Sequence, residues 1–237
     1  MPHILALDTS TDACSVALVT ESETIERYSL EPRSHARLGL PMVDEVLKEA
    51  GLDLSMLDAV AFGRGPGSFT GLRIAAGLAQ GLAFSRQLPV VPVSTLEAMA
   101  YGYLHSEYKL RDGAEGSPWI LSVLDARMSE VYVALYQAED SSLCLKGEER
   151  VLPPSMVTFP SEATAVSAIG SGLSYLAEMP EATQLAIAHQ EPDWHPRAAA
   201  VGKLALKYFA AGKVVSPADA QPIYLRDEVT WQKLPGR

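Results

Sequence analysis

Asp58-Ala-Val-Ala-Phe-Gly-Arg64, then Gly65-Pro-Gly-Ser68, then Phe69-Thr-Gly-Leu-Arg73 follow one another without a break and decide how this chain folds. The first segment predicts a strand, the second a tight turn, and the third the opening of a helix that runs on to Phe84. Glycines at 63, 65 and 67 let the backbone turn sharply and leave amides uncovered. Ser68 or Thr70 can cap the first helical turn. A strand, a glycine loop and a helix N-terminus together can hold an anion on backbone amides. No Lys-Ser/Thr pair follows, however, and Gly65-x-Gly67-x-x-x-Gly71 misses the dinucleotide spacing by one residue. A phosphate cradle and a purely structural turn both stay open.

Between Phe69 and Phe84 only Arg73 and Gln80 are strongly polar. Leu72, Ala75, Ala76, Ala79, Leu82 and Ala83 fill one broad face, and Gly77, Gly81 and Phe84 repeat along another. A helix apolar nearly all round is buried nearly all round. One side goes to the chain's own sheet and the other needs a cover. Internal glycines cost about 1 kcal/mol each against alanine, a cost that makes sense where a second helix must come close.

The chain has 237 residues, 48% hydrophobic and 20% charged, with a net charge of −10. That composition predicts a soluble globular protein of one or two domains. Met1-Pro2-His3 leads straight into a strand-like segment, with no signal-peptide pattern, and the apolar runs fall short of the ~20 residues a bilayer needs. Cys14 and Cys144 are isolated, which points to a reducing cytoplasm and away from disulfide or metal spacing. Lysines and arginines are scattered, so any nucleic acid would be held by another chain.

Ile4–Asp8, Cys14–Val19 and Thr24–Leu30 predict an antiparallel meander. Asp8 closes the first strand ahead of Thr9, Ser10 and Thr11, either as a phosphate- or metal-facing hairpin or as a self-bonded turn. Ser34 is placed to cap a helix ending at Ala50 before Gly51, with Leu38, Met42, Val43, Val46 and Leu47 on its apolar arc and His35 exposed in its first turn. Leu88–Val93 predicts a strand whose Pro89 and Pro92 mark a sheet edge or a strand end. Ser94-Thr-Leu-Glu97 predicts a capping box for a helix reaching His105. Residues 106–118 are a linker, which divides the chain into lobes 1–106 and 107–237.

The second half restarts the pattern of the first. Trp119–Asp125 is a strand closing on an aspartate and Glu130–Tyr136 returns from it, which predicts a structural duplication. A strand near Ala165–Ile169, a turn at Gly170–Gly172 and a helix with Pro196 at its first position and Gly212 at its end follow. Pro217–Arg226 is extended and 227–237 a loose tail. No nucleophile elbow or zinc spacing accompanies Ser68, His35, His105, His189 or His195.

Ile4–Thr11, the block Gly63–Arg73, Asp125-Ala-Arg127 with Glu130-Val-Tyr132, and Pro222-x-Tyr224-Leu225-Arg226 together resemble the TsaB (YeaZ) family. The resemblance implies an α/β chain of the actin/hexokinase/Hsp70-like (ASKHA) fold with two related lobes. It further implies an accessory subunit for making threonylcarbamoyladenosine in transfer RNA. The catalytic paralogue, TsaD, carries two histidines four residues apart that bind its metal. The matching positions here are Thr95 and Met99, so the resemblance implies no metal, no cofactor and no catalysis by this chain. It also implies pairing with TsaD, and with itself when alone, through the helices of the first lobe. The residues this assigns to the interface are Leu38, Met42, Val46, Leu72, Arg73, Ala76, Gly77, Gln80, Gly81 and Phe84. Asp8, Ser10, Gly65, Gly67 and Ser68 would be a vestigial phosphate loop. The ATPase TsaE is the third implied partner, and transfer RNA would be met through the complex. An ATP-dependent enzyme of the same fold and a glycoprotease-like peptidase are the competing expectations.

Overall fold

The computed structural model describes residues 1–106, 119–139 and 142–226. The expected linker from 107 on and the tail 227–237 lie outside the described residues.

Three strands, β1 (Ile4–Asp8), β2 (Cys14–Val19) and β3 (Thr24–Ser29), form the expected antiparallel meander, with Leu7 opposite Val16. After helix α1 (His35–Ala50), strand β4 (Ala59–Gly65) pairs in parallel with β1, placing Leu7 beside Phe62. Helix α2 (Phe69–Arg86) leads to β5 (Val90–Ser94), parallel to β4 and at the edge of the sheet, as its prolines require. The sheet order is β3-β2-β1-β4-β5. Its inner strands are apolar on both faces because both are covered. Leu5, Leu7, Val60 and Phe62 meet α1 and α2, whereas Ile4, Ala6, Ala59 and Ala61 meet helices on the other side.

The second half repeats this path. Helix α3 (Thr95–Leu104) leads towards β6 (Trp119–Arg127), which pairs antiparallel with β7 (Glu130–Glu139), and β8 (Ser142–Leu145) pairs with β7. A short strand β9 (Arg150–Leu152) also borders β7. Strands β10 (Val166–Ile169) and β11 (Ile187–Glu191) add in parallel beyond β6. The order β8-β7-β6-β10-β11 is that of the first sheet, element for element. In place of α2 the second half has a 3-10 turn, Ser171–Glu178, ahead of the short helix α4 (Glu181–Ala186). Among the described residues, no helix is long and apolar enough to cross a membrane.

The last helix, α5 (Ala198–Ala210), departs from a simple division at residue 106. It packs on the first sheet, where a Cβ on Gly202 would lie 2.9 Å from that of Val19. Lys203 Nζ donates to Thr20 O at 2.9 Å and Ser15 Oγ accepts from Ala198 N at 2.9 Å. Meanwhile Leu96, Met99, Tyr103 and Leu104 of α3 pack on the second sheet. The two halves therefore exchange cover through α3 and α5.

Local expectations need four corrections. Ser34 does not cap α1 with its side chain; its hydroxyl donates to Glu31 O at 2.5 Å. His35 is buried, not exposed, with Nε2 2.7 Å from Thr11 O. Pro196 precedes α5, because Arg197 is extended and clamps Glu26 with its guanidinium, so helical backbone starts only at Ala198. Ser94 does accept from Glu97 N at 3.3 Å, but Glu97 does not reciprocate: both its oxygens accept from Tyr208 OH at 2.6 Å.

Candidate docking face and interlobe cleft

The glycine loop is pressed onto the first hairpin. Ser68 N donates to Ser10 O at 2.7 Å, and a Cβ on Gly67 would overlap that same carbonyl. A Cβ on Gly71 would likewise overlap Thr9 O, while Thr9 Oγ1 donates to Gly71 O at 2.7 Å. Ser68 Oγ then accepts from Gly71 N, the cap that starts α2. Gly65 has φ 109° and lies beneath the C-terminal segment, where a Cβ would be 2.8 Å from Ile223 O. These glycines serve close backbone approach, and the loop's amides at 68 and 71 already have acceptors.

Asp8 does not face outward. It is fully buried, with Oδ1 accepting from Ser10 N at 3.0 Å and Ser10 Oγ at 2.7 Å. Its Oδ2 lies against Gly63, where any Cβ would overlap it, and has no hydrogen-bond partner. Burial pushes the carboxyl up to about 6, against the lowering effect of the Ser10 bonds and of His35. Of the five residues expected to form a phosphate loop, Ser10, Gly67 and Ser68 border the cleft between the lobes, while Asp8 and Gly65 sit below its wall.

That cleft, about 650 Å³, opens between the Ser10–Asp12 turn, the start of α2 and the Asp125–Arg127 turn of the second hairpin. The two arginines on its wall are already engaged. Arg127 Nη1 donates to Asp125 Oδ2 at 2.9 Å, and Arg226 pairs with Glu130. Neutralised in this way, they are poorly placed to draw in a polyphosphate. Thr95 and Met99 do not fit a metal ion. Both are fully buried, Met99 within the apolar layer between α3 and the second sheet, and neither supplies an imidazole or carboxylate.

The other expected site is the face of α1 and α2, and the structure sorts its ten residues into two groups. Met42, Val46 and Ala76 pack into the core below both helices, and Leu72, equally buried, lies against Gly65. In the free chain these four present almost no surface, so the exposed part of the expected face is carried by other residues. Arg73, Gly77, Gly81 and Phe84 form the outward stripe, with Leu38 and Gln80 half-buried beside it. Phe84 is 79% exposed, and a Cβ on Gly77 or Gly81 would meet nothing within 4 Å. Beyond Arg73 the stripe is apolar, notched and uncovered.

Three further residues belong to this face: Leu40, which broadens the apolar arc of α1, and Phe69 and Tyr224, which carried no interface assignment. Leu40 on α1 is 53% exposed, beside a helix contact in which Gly39 lets Leu78 Cδ1 approach to 2.6 Å of where a Cβ would sit. Phe69 is 57% exposed, its ring 3.9 Å from the Arg73 guanidinium and 5.7 Å from Tyr224. Arg73 Nε donates to Tyr224 OH at 3.2 Å. The only advance sign of Tyr224 was the Pro-x-Tyr-Leu-Arg motif itself.

The sequence model of the family described as "TsaD: tRNA N6-adenosine threonylcarbamoyltransferase" matches residues 29–232. The tRNA threonylcarbamoyladenosine biosynthesis protein TsaB of Escherichia coli is 39% identical over 99% of each chain. Its namesake in Haemophilus influenzae is 38% identical over 99% of this chain and 98% of that one. The solved structure of YeaZ from Pseudomonas aeruginosa superposes with a TM-score of 0.85 at 42% identity, covering 95% of this chain and all of that one. With its duplicated sheets and full-length similarity, the chain belongs to the TsaB (YeaZ) family.

Proposed function

We propose that the chain is a non-catalytic subunit in threonylcarbamoyladenosine biosynthesis on transfer RNA, acting in the cytoplasm by docking on the catalytic paralogue TsaD. The observation that carries this is the uncovered stripe Arg73–Gly77–Gly81–Phe84 on α2, extended by Leu40 and Phe69. Exposed aromatic side chains beside glycine notches favour a second helix pair at close range, and an apolar patch of this kind marks an interaction face. In the absence of TsaD the same stripe pairs two copies of this chain. TsaE joins the TsaD-bound form, and transfer RNA is held by the partner, in keeping with a net charge of −10 here. The buried Thr95 and Met99, together with the inward Asp8, support leaving the chemistry to the partner.

Reconstitution tests it: transfer RNA, threonylcarbamoyl-adenylate and TsaD, with and without this chain, and with the Phe84→Asp variant. Modification should depend on the wild-type chain and fail with the variant. Equal modification in all three mixtures would refute the proposal.

A further inference from the structure

We infer that the segment Ala220–Arg226 is a strap that holds the docking stripe in register with the second lobe, with Arg226 as its positioning residue. This rests on the docking proposal above and adds to it the second lobe as a determinant of pairing.

The strap is bonded at both ends to different halves of the molecule. At its start, Ala220 O accepts from Gln80 Nε2 of α2 at 3.0 Å. Ile223 N donates to Arg64 O at 2.8 Å, directly over Gly65. Tyr224 then lies on the first lobe's surface, its hydroxyl taking the Arg73 hydrogen bond and its ring near Phe69. Two residues further on, Arg226 Nη2 donates to Ala126 O at 3.3 Å and pairs with Glu130 of the second hairpin.

Even fully extended backbone spans only about 3.3 Å per residue, and the chain bends at Leu225, so at most about 7 Å separates the Tyr224 anchor from the Arg226 anchor. That leaves no slack. A shift of the second hairpin relative to α2 must pull Tyr224 away from Arg73 and Phe69 or break the Arg226 contacts. Arg226 bonds to Met128, Ala126 and Glu130 of the second hairpin and, through Tyr224, fixes the aromatic cluster at the stripe's N-terminal end.

The test measures the affinity of the full chain for TsaD, alongside the melting temperature of each variant alone. Arg226→Ala should weaken pairing about tenfold, roughly 1.4 kcal/mol. Arg226→Lys should fall between, since an ammonium can keep Glu130 but lacks the planar guanidinium whose Nη2 serves both Glu130 and the Ala126 carbonyl. Glu130→Gln, in the other lobe, should weaken pairing comparably, and combining it with Arg226→Ala should add little. Arg197→Ala, which breaks the separate pair with Glu26, is the control and should leave pairing unchanged. Wild-type affinity in Arg226→Ala, full additivity with Glu130→Gln, or equal weakening by Arg197→Ala would each overturn the strap. If Phe84→Asp also pairs normally, the docking face itself is wrong; if Phe84→Asp abolishes pairing while Arg226→Ala is silent, the strap alone fails.

Discussion

Replacing Gly77 and Gly81 together with alanine should move stability and pairing in opposite directions. Both glycines lie inside α2, and a Cβ built on either meets nothing within 4 Å, so the free chain accommodates the methyl groups without strain. Glycine inside a helix costs about 1 kcal/mol relative to alanine, so the pair should stabilise the isolated chain by about 2 kcal/mol. At roughly 2–4 °C per kcal/mol for a chain of this size, the melting temperature should rise by about 4–8 °C. On the docked face the same two methyls fill the notches that let a second backbone approach. Overpacking a fitted contact costs typically about 1–3 kcal/mol, so affinity for TsaD should drop by about tenfold or more. Calorimetric melting of the free chain and titration of TsaD against it supply both numbers. A more stable chain that binds TsaD as tightly as before would refute the idea that the notches serve docking. A less stable one would refute the packing seen around α2.

Other substitutions separate core from surface. Phe84→Asp should abolish pairing while leaving stability within about 0.5 kcal/mol, because surface changes away from special features do little. Leu72→Ala, at a site 1% exposed, should instead cost about 2–5 kcal/mol of stability, read by denaturant unfolding. Gly63→Ala should destabilise the fold, since the new methyl would overlap Asp8 Oδ2; unchanged stability would contradict the buried carboxylate. Asp8 also makes a pH prediction. Its folded carboxyl sits at about 6 against an ordinary 3.8, so between those values the native state holds a proton that the unfolded chain has released. Stability attributable to Asp8 is therefore greatest below pH 4 and is lost as pH rises to 6, by on the order of 3 kcal/mol. Comparing wild type with Asp8→Asn across pH 4–7 isolates that slope, and parallel curves would exclude it.

Much of the fold could be read from local patterns. The meander, the central strand–loop–helix unit and the edge character of β5 follow from alternation, glycine spacing and proline placement, and the second hairpin betrays the duplication by closing on Asp125 as the first closes on Asp8. The outward stripe was legible because Gly77, Gly81 and Phe84 make no sense in a core. Which apolar residues faced inward was not. A helix apolar on both sides has no periodic signal to separate Leu72 and Ala76 from their outer neighbours, and α1 extended the same ambiguity to Met42 and Val46. Contacts made across the chain were equally silent. Nothing local tells α5 to return to Val19 and Ser15 on the first sheet, or Tyr224 to seek Arg73. His35 looked exposed because its partner, the Thr11 carbonyl, belongs to a hairpin two dozen residues away.

Side-chain oxidative footprinting of the chain, free and saturated with TsaD, tests the docking claim most directly. Phe69 and Phe84, 57% and 79% exposed in the free chain, should lose their reactivity on binding, as should Leu40. Met156 and Leu185 on the second lobe, 61% and 79% exposed, should keep theirs. Protection of Met156 and Leu185 with Phe69 and Phe84 left reactive would place the partner on the wrong half of the molecule and contradict the account.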